Sequence, residues 1–130
     1  MKKYWAILFV IVAITSCKKE KTDQTVAGLT GKWELSLQSD ITGIHTYALG
    51  AGNTLQFNAD STFIQYRANQ LVDQGSYHVI KNGITIPSGF KFDALYYNHS
   101  TFSNELQIKP DTLFIITGPV NAAADTYVRQ

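Results

Sequence analysis

Three histidines, ten carboxylates and a single cysteine are the groups through which this chain of 130 residues could do chemistry. Their spacing points away from most of it. His45, His78 and His99 fall in three separate segments, with no His-x-His or His-x-x-x-His spacing to present two ligands to one metal. The acids are equally scattered. Glu34, Asp93 and Glu105 stand on the polar sides of alternating segments, where exposed strand carboxylates usually stand. No Gly-x-Ser-x-Gly elbow, phosphate loop or cysteine cluster occurs. The expectation is a protein with no catalytic residue, no cofactor and no metal. Nucleic acid is excluded on charge. Lys32, Arg67, Lys81, Lys91, Lys109 and Arg129 are spread singly, without the clustered cations that phosphates require.

The cysteine is placed differently. Cys17 stands where an apolar run stops and a charged run starts. Lys2 and Lys3 precede eleven apolar residues, Tyr4 to Ile14, which match the n-region and h-region of a secretory signal. Eleven helical residues rise about 17 Å, against a hydrocarbon core of about 30 Å, so the run is short for a membrane span. It is apolar all round and has no face to give water, as a core helix at a protein surface would. The end of the run, Ile14-Thr15-Ser16-Cys17, resembles the lipobox of bacterial lipoproteins. That resemblance implies cleavage after residue 16, a diacylglyceryl group on the Cys17 thiol and an acylated new amine. Such a multiply acylated residue anchors firmly, since one chain alone is marginal. It would place the protein in a Gram-negative cell envelope, at the outer membrane, with the leaflet open. Residues 17–27, CKKEKTDQTVA, lack large apolar side chains and read as a tether.

From Gly28 onward the pattern has period two. Trp33, Leu35 and Leu37 share one face; Leu55 and Phe57 alternate with polar neighbours, as do Leu106 and Ile108. Phe90, Phe92, Ala94 and Tyr96 alternate with Lys91, Asp93, Leu95 and Tyr97. Turn chemistry falls between these runs: Asn58-Ala59-Asp60-Ser61, the hairpin dipeptide Asn82-Gly83, and Lys109-Pro110-Asp111. The expected strands are 31–38, 44–50, 53–58, 62–68, 73–80, 84–86 extending toward 97, 103–109, 112–117 and 125–129. Strands joined by tight turns are antiparallel. A meander this long must hide its edges, and closure into a barrel of about eight strands does so, with a two-sheet sandwich as the alternative. The fold class expected is all-β, over residues 28–130, as one domain. Loss of residues 1–16 takes Lys2 and Lys3 from the 11 basic residues, leaving nine against 10 acids and a net charge of −1.

Leu29-Thr30-Gly31-Lys32-Trp33-Glu34-Leu35 resembles the Gly-x-Trp opening of lipocalins. Leu55-Gln56-Phe57-Asn58-Ala59-Asp60-Ser61-Thr62-Phe63 is similar to the second hairpin of small bacterial lipocalin-like lipoproteins, often written Asp-Gly-Thr-Phe, with Ser61 here in place of that Gly. Asp111-Thr112-Leu113 and Asp125-Thr126-Tyr127-Val128-Arg129 fit the same group. The resemblance covers residues 28–130. It implies a calycin-type meander barrel in which Gly31 and Trp33 help close one end and Arg129, from the last strand, packs over the Trp33 ring.

Two functions remain open. The first is a monomeric, membrane-anchored binder of a small hydrophobic or amphipathic ligand, its pocket lined by Tyr47, Phe63, Tyr66, Tyr77, Phe92 and Tyr96. Tyrosine joins an apolar body to a polar tip and suits such a pocket. The second is an envelope protein-interaction module with a filled barrel, since eight strands enclose little more than their own side chains. The small-residue loop Gly118–Ala124 is a candidate contact for it.

Overall fold

A computed structural model describes residues 28–118 and 123–130. The expected signal segment 1–16, Cys17, the tether up to residue 27, and residues 119–122 of the small-residue loop lie outside the described residues. The strands are β1 (Gly31–Asp40), β2 (Gly43–Thr46), β3 (Thr54–Phe57), β4 (Thr62–Arg67), β5 (Gln70–Thr85), β6 (Lys91–Tyr97), β7 (Asn104–Ile108), β8 (Thr112–Thr117) and β9 (Ala123–Arg129). All pairings are antiparallel. One edge of β1 pairs with β3 from Gly31 to Glu34, and the other pairs with β9 from Trp33 to Ser39. The meander from β3 to β9 therefore returns to β1 and closes a barrel of eight strands, with β2 as a ninth. Closure leaves no long unpaired edge to aggregate.

β2 pairs with Leu37 to Asp40 of β1. Since β9 occupies the other edge there, β2 and β3 lie end to end along one edge. They are two halves of a strand interrupted by residues 47–53. Tyr47 N–H donates to the Ser36 carbonyl at 2.9 Å and Leu35 N–H to the Asn53 carbonyl at 2.8 Å, so the ladder survives on both sides of the interruption. This corrects the expected strand 44–50: the chain leaves the sheet after Thr46 and re-enters at Thr54.

The lower half of the barrel is packed with rings. Phe57 meets Tyr77 edge-on at 4.9 Å, and Phe63 meets Tyr97 at 4.7 Å. These pairs join β3 to β5 and β4 to β6, which are not neighbours in the sheet, so the rings meet across the lumen. Trp33, Leu35, Leu95 and Leu113 are wholly buried around them. Eight strands enclose a space just wide enough for such filling.

The end below these rings is closed by Arg129. Its guanidinium lies 4.1 Å from the centroid of the Trp33 ring. Nη2 donates to the Gly28 carbonyl at 2.7 Å, Nη1 to Thr30 at 3.3 Å and Nε to Pro110 at 3.0 Å. The Trp33 indole N–H donates to the Leu29 carbonyl at 2.8 Å. Gly31 is required beneath the cation: a Cβ there would stand 3.0 Å from Arg129 Nη1, at a φ of +137°.

Two sequence expectations fail for physical reasons. Asn82-Gly83 is no hairpin turn. It is an irregularity inside β5, between Ile80 and Ile84, while the hairpin to β6 turns later, with Ile86 N–H donating to Phe90 at 3.0 Å. The left-handed φ of Asn82, +53°, is spent on the bulge, and its N–H is satisfied by the Asp93 carboxylate at 2.9 Å. Gly83 is needed because a Cβ would come within 2.8 Å of Ala94 Cβ. Leu37, in turn, does not share a face with Trp33 and Leu35. The register against β9 shifts between Leu35 and Leu37, pairing Leu37 with Thr126 and Gln38 with Asp125. Leu37 is thereby turned outward and Gln38 inward.

Truncating Trp33 to Ala opens a large cavity at the closed end and is expected to cost about 3–5 kcal/mol. Arg129→Gln removes the cation over the ring and its bonds to three carbonyls, and is expected to cost about 1–2 kcal/mol. Urea unfolding measures both, and an unchanged midpoint for Arg129→Gln would refute the clasp. Ser61 sits at a φ of +66°, in the turn between β3 and β4. Ser61→Gly relieves that conformation and is expected to raise stability by about 0.5–1 kcal/mol. A lowered midpoint would show that the turn is not strained.

Candidate functional site

Above the ring layer the lumen becomes polar. The bulge in β1 aims Gln38 inward, and its Nε2 donates to Asp125 Oδ1 of β9 at 2.9 Å. Tyr47, arriving just after β2, donates its hydroxyl to Gln38 Oε1 at 3.1 Å. The Tyr127 hydroxyl donates to the other oxygen, Asp125 Oδ2, at 3.3 Å. Arg67 ends β4 beside the two-residue Ala68-Asn69 turn, both of whose residues have positive φ. β4 and β9 are separated by β3 and β1 in the sheet, so the approach of Arg67 Nη2 to Asp125 Oδ2, 4.0 Å, spans the lumen. Arg67 Nη1 is buried and has no hydrogen-bond partner among the protein's atoms.

That last group is the chemically unfinished one. A buried N–H left unpaired costs roughly 1–3 kcal/mol, and more when it belongs to a charged group. It can be satisfied only by an acceptor. Asp125 accepts from Gln38 through one oxygen and from Tyr127 through the other, and Arg67 also lies against the Tyr127 hydroxyl, so of its guanidinium it is Nη1 that stays unpartnered. The arrangement therefore offers a fixed guanidinium donor on a floor of aromatic rings: polar above, apolar below.

Electrostatics keep the hydroxyls here in their donor form. Desolvation pushes the Tyr97 hydroxyl well above its ordinary value of 10.0, with Tyr127, Asp125 and Asp73 adding to the effect. Desolvation also raises Tyr127, helped by Asp125 and opposed by Arg67.

The structure separates the six expected lining residues into two groups. Phe63 and Tyr77 belong to the buried core, and Tyr47 packs partly buried against it. The Tyr77 hydroxyl is tied to the Asn58 carbonyl at 2.9 Å. The other three occupy the outer wall. Phe92 and Tyr96 alternate with the buried Leu95 on β6, and Tyr96 stacks on His78 with centroids 4.7 Å apart. Tyr66 lines a depression outside the barrel together with Lys32 and Glu34. Sequence reasoning did not single out Gln38, Arg67 or Asp125. In the sequence Arg67 is one dispersed cation among several. The signal that could have found it is its place in an inward register two and four positions after Gln65 and Phe63, and reading that register requires the pairing itself.

His45 stays near the tip of the first hairpin, 3.8 Å from Asp40. Among the described residues no group of three or more His, Cys, Asp or Glu side chains is arranged to hold a metal ion. A second concavity, a groove of about 610 Å³, runs along the outer wall between Ile84, Ile86, Pro87, Phe102 and Ile116. Phe102 is 82% exposed beside it. No known protein family matches this chain, and no curated protein or solved structure does.

The two raised tyrosines make stability depend on alkaline pH. A hydroxyl whose folded pKa lies above its unfolded value of 10.0 favours the fold below pH 10, and that contribution is lost as pH rises past 10. Unfolding free energy is expected to fall above pH 10 more shallowly in the Tyr97→Phe/Tyr127→Phe double variant than in the parent. Equal slopes in urea titrations at stepped pH would remove these tyrosines from the account.

Proposed function

We propose that the chain is a lipid-anchored, lipocalin-like envelope protein that binds a small amphipathic ligand without acting on it chemically. The single observation supporting this reading is the buried, unpartnered Nη1 of Arg67 above the aromatic floor. A ligand oxygen accepts from that N–H, and the ligand's apolar part rests against the rings of Phe63 and Tyr97. The packed lower half restricts the ligand to the upper part of the lumen, so it is small or only partly enclosed. Cys17, outside the described residues, carries the lipid that holds the barrel at the outer membrane. The lipobox resemblance of Ile14-Thr15-Ser16-Cys17 supports that anchor, and the closed eight-stranded barrel agrees with the lipocalin-like motifs.

The second reading, a protein-interaction module, is favoured by a different observation: the outer groove with exposed Phe102 at its side. Exposed apolar surface of this kind marks contact sites when it is contiguous.

One preparation tests both halves of the proposal. The full chain is expressed in a bacterial envelope, extracted in mild detergent and weighed by native mass spectrometry. A mass increment that survives unfolding and vanishes in Cys17→Ser is the anchor. A second increment, lost on unfolding, is the ligand, and Arg67→Met is expected to abolish it while leaving the first. A folded protein that carries no releasable adduct overturns the carrier reading in favour of the interaction module.

A further inference from the structure

Outside the lumen, against the outer faces of β1, β3 and β4, lies a pocket of about 420 Å³. This volume falls within the roughly 300–1,000 Å³ of small-molecule sites. Its chemistry does not resemble that of an ordinary apolar site. Lys32 and Glu34 of β1, Thr54 and Gln56 of β3, and Tyr66 of β4 form its floor, and Asn69 and Gln130 stand at its margin.

The pocket is built rather than incidental. Glu34 is an outward-facing strand residue, and its expected place was in water, yet it is 2% exposed. The loop 47–53 covers it: Gly50 N–H donates to one carboxylate oxygen and Gln130 Nε2 to the other. The loop is fastened at its far side too. Asn69 N–H donates to the Gly52 carbonyl at 3.1 Å, and Ala68 N–H to Asn53 Oδ1 at 3.0 Å. Gly52 sits so close to the β4–β5 turn that a Cβ would come within 2.6 Å of the Asn69 amide nitrogen. Gln130 is held in the ladder, its N–H donating to the Lys32 carbonyl at 3.0 Å. Loop, hairpin tip and last residue thus fix the pocket's wall before any ligand arrives.

The donor and acceptor set selects the ligand. The lining has one cation, Lys32, and one acid, Glu34, so the pocket holds no cluster of like charge to recruit a phosphate or a carboxylate. Apart from the Tyr66 ring the side chains are polar, and they offer no continuous apolar bed for an acyl tail. The Gln56 and Asn69 amides, the Tyr66 hydroxyl and the Lys32 ammonium instead provide donors and acceptors on several sides at once, while the Glu34 oxygens are taken by Gly50 and Gln130. A ring whose every substituent both donates and accepts fits this set, and the face of Tyr66 suits its C–H side. We propose that this outer-wall pocket binds a saccharide unit, independently of the lumen.

The test uses the full chain in dodecylphosphocholine, a detergent without a sugar head. The labelled protein is applied to an array of bacterial-envelope, mucin and plant glycans, and each hit is repeated in solution by saturation-transfer NMR. Binding of at least one glycan is expected. Tyr66→Ala and Gln56→Ala are each expected to weaken it by about tenfold, the loss of one or two neutral contacts. Arg67→Met is expected to leave it unchanged, which separates this site from the lumen. Competition by the free oligosaccharide identifies a soluble glycan. Binding seen only on vesicles bearing lipopolysaccharide identifies a lipid-borne one. An array without a hit overturns the proposal, as does binding that survives both substitutions in folded protein.

Discussion

The contact between Arg129 and Trp33 is the constraint from which the rest of this barrel follows. A meander of strands closes only if its last member finds its first, and the two are separated by nearly the whole described chain. Trp33 and Arg129 are also directly paired in the β1–β9 register. The ring fixes the lateral fit, and the guanidinium fixes the height, because its three nitrogens meet carbonyls of two segments at the closed end, Gly28 and Thr30 before β1 and Pro110 between β7 and β8. A lysine would supply the charge but not this planar fork. Once that register is set, every strand from β3 to β8 has a place, and the inward positions of all eight are determined together.

Irregularities in the strands then decide what the lumen contains. A regular β1 would carry its apolar face straight upward, with Leu37 following Trp33 and Leu35. The shift between Leu35 and Leu37 exchanges an apolar side chain for Gln38 at the level of Asp125. A second shift, between Gln65 and Tyr66 in the β4–β5 pairing, places its extra residue, Val72, on β5 and leaves Arg67 in the inward register of Phe63 and Gln65. Bulges re-aim side chains in this way at barrel rims. They give one barrel two interior layers, an aromatic plug and a polar cluster, without any change of strand number.

The same irregularities explain how far the sequence could be read. The strands at 31–38, 53–58, 62–68 and 103–117 were legible, with their alternation broken at Leu37, because a strand with one wet and one dry face must alternate, and the turns at Asn58–Ser61 and Lys109–Asp111 stand where their residue types require. Antiparallel closure was legible as the way to remove edges. What was not legible depended on contacts distant in sequence. The left-handed preference of Asn82 was real, but whether it makes a turn or a bulge depends on Asp93 and Ala94 of the facing strand. Tyr66, Phe92 and Tyr96 look no different from Tyr77 and Phe63 as residue types, and only the register sends them outward. Arg67 looked like one more dispersed cation because its partner lies across a lumen that no local pattern describes.

β1 is also the wall between the two candidate sites, and the loop 47–53 touches both. At one end Tyr47 holds Gln38 on the inner face of the barrel; three residues later Gly50 holds Glu34 on the outer face. The carboxylates of Glu34 and Asp125 have separate partners, Gly50 and Gln130 for the first, Gln38 and Tyr127 for the second. They share a loop instead. A ligand that draws Gln38 away from Tyr47 acts on the same short segment that covers Glu34. Any difference in loop conformation between the liganded and ligand-free barrel would therefore be felt at the outer pocket, and by linkage the converse would hold with equal free energy. The tight fastening of that loop at Asn53 and Gly52 opposes such movement, which favours two sites that work separately on opposite faces of one strand.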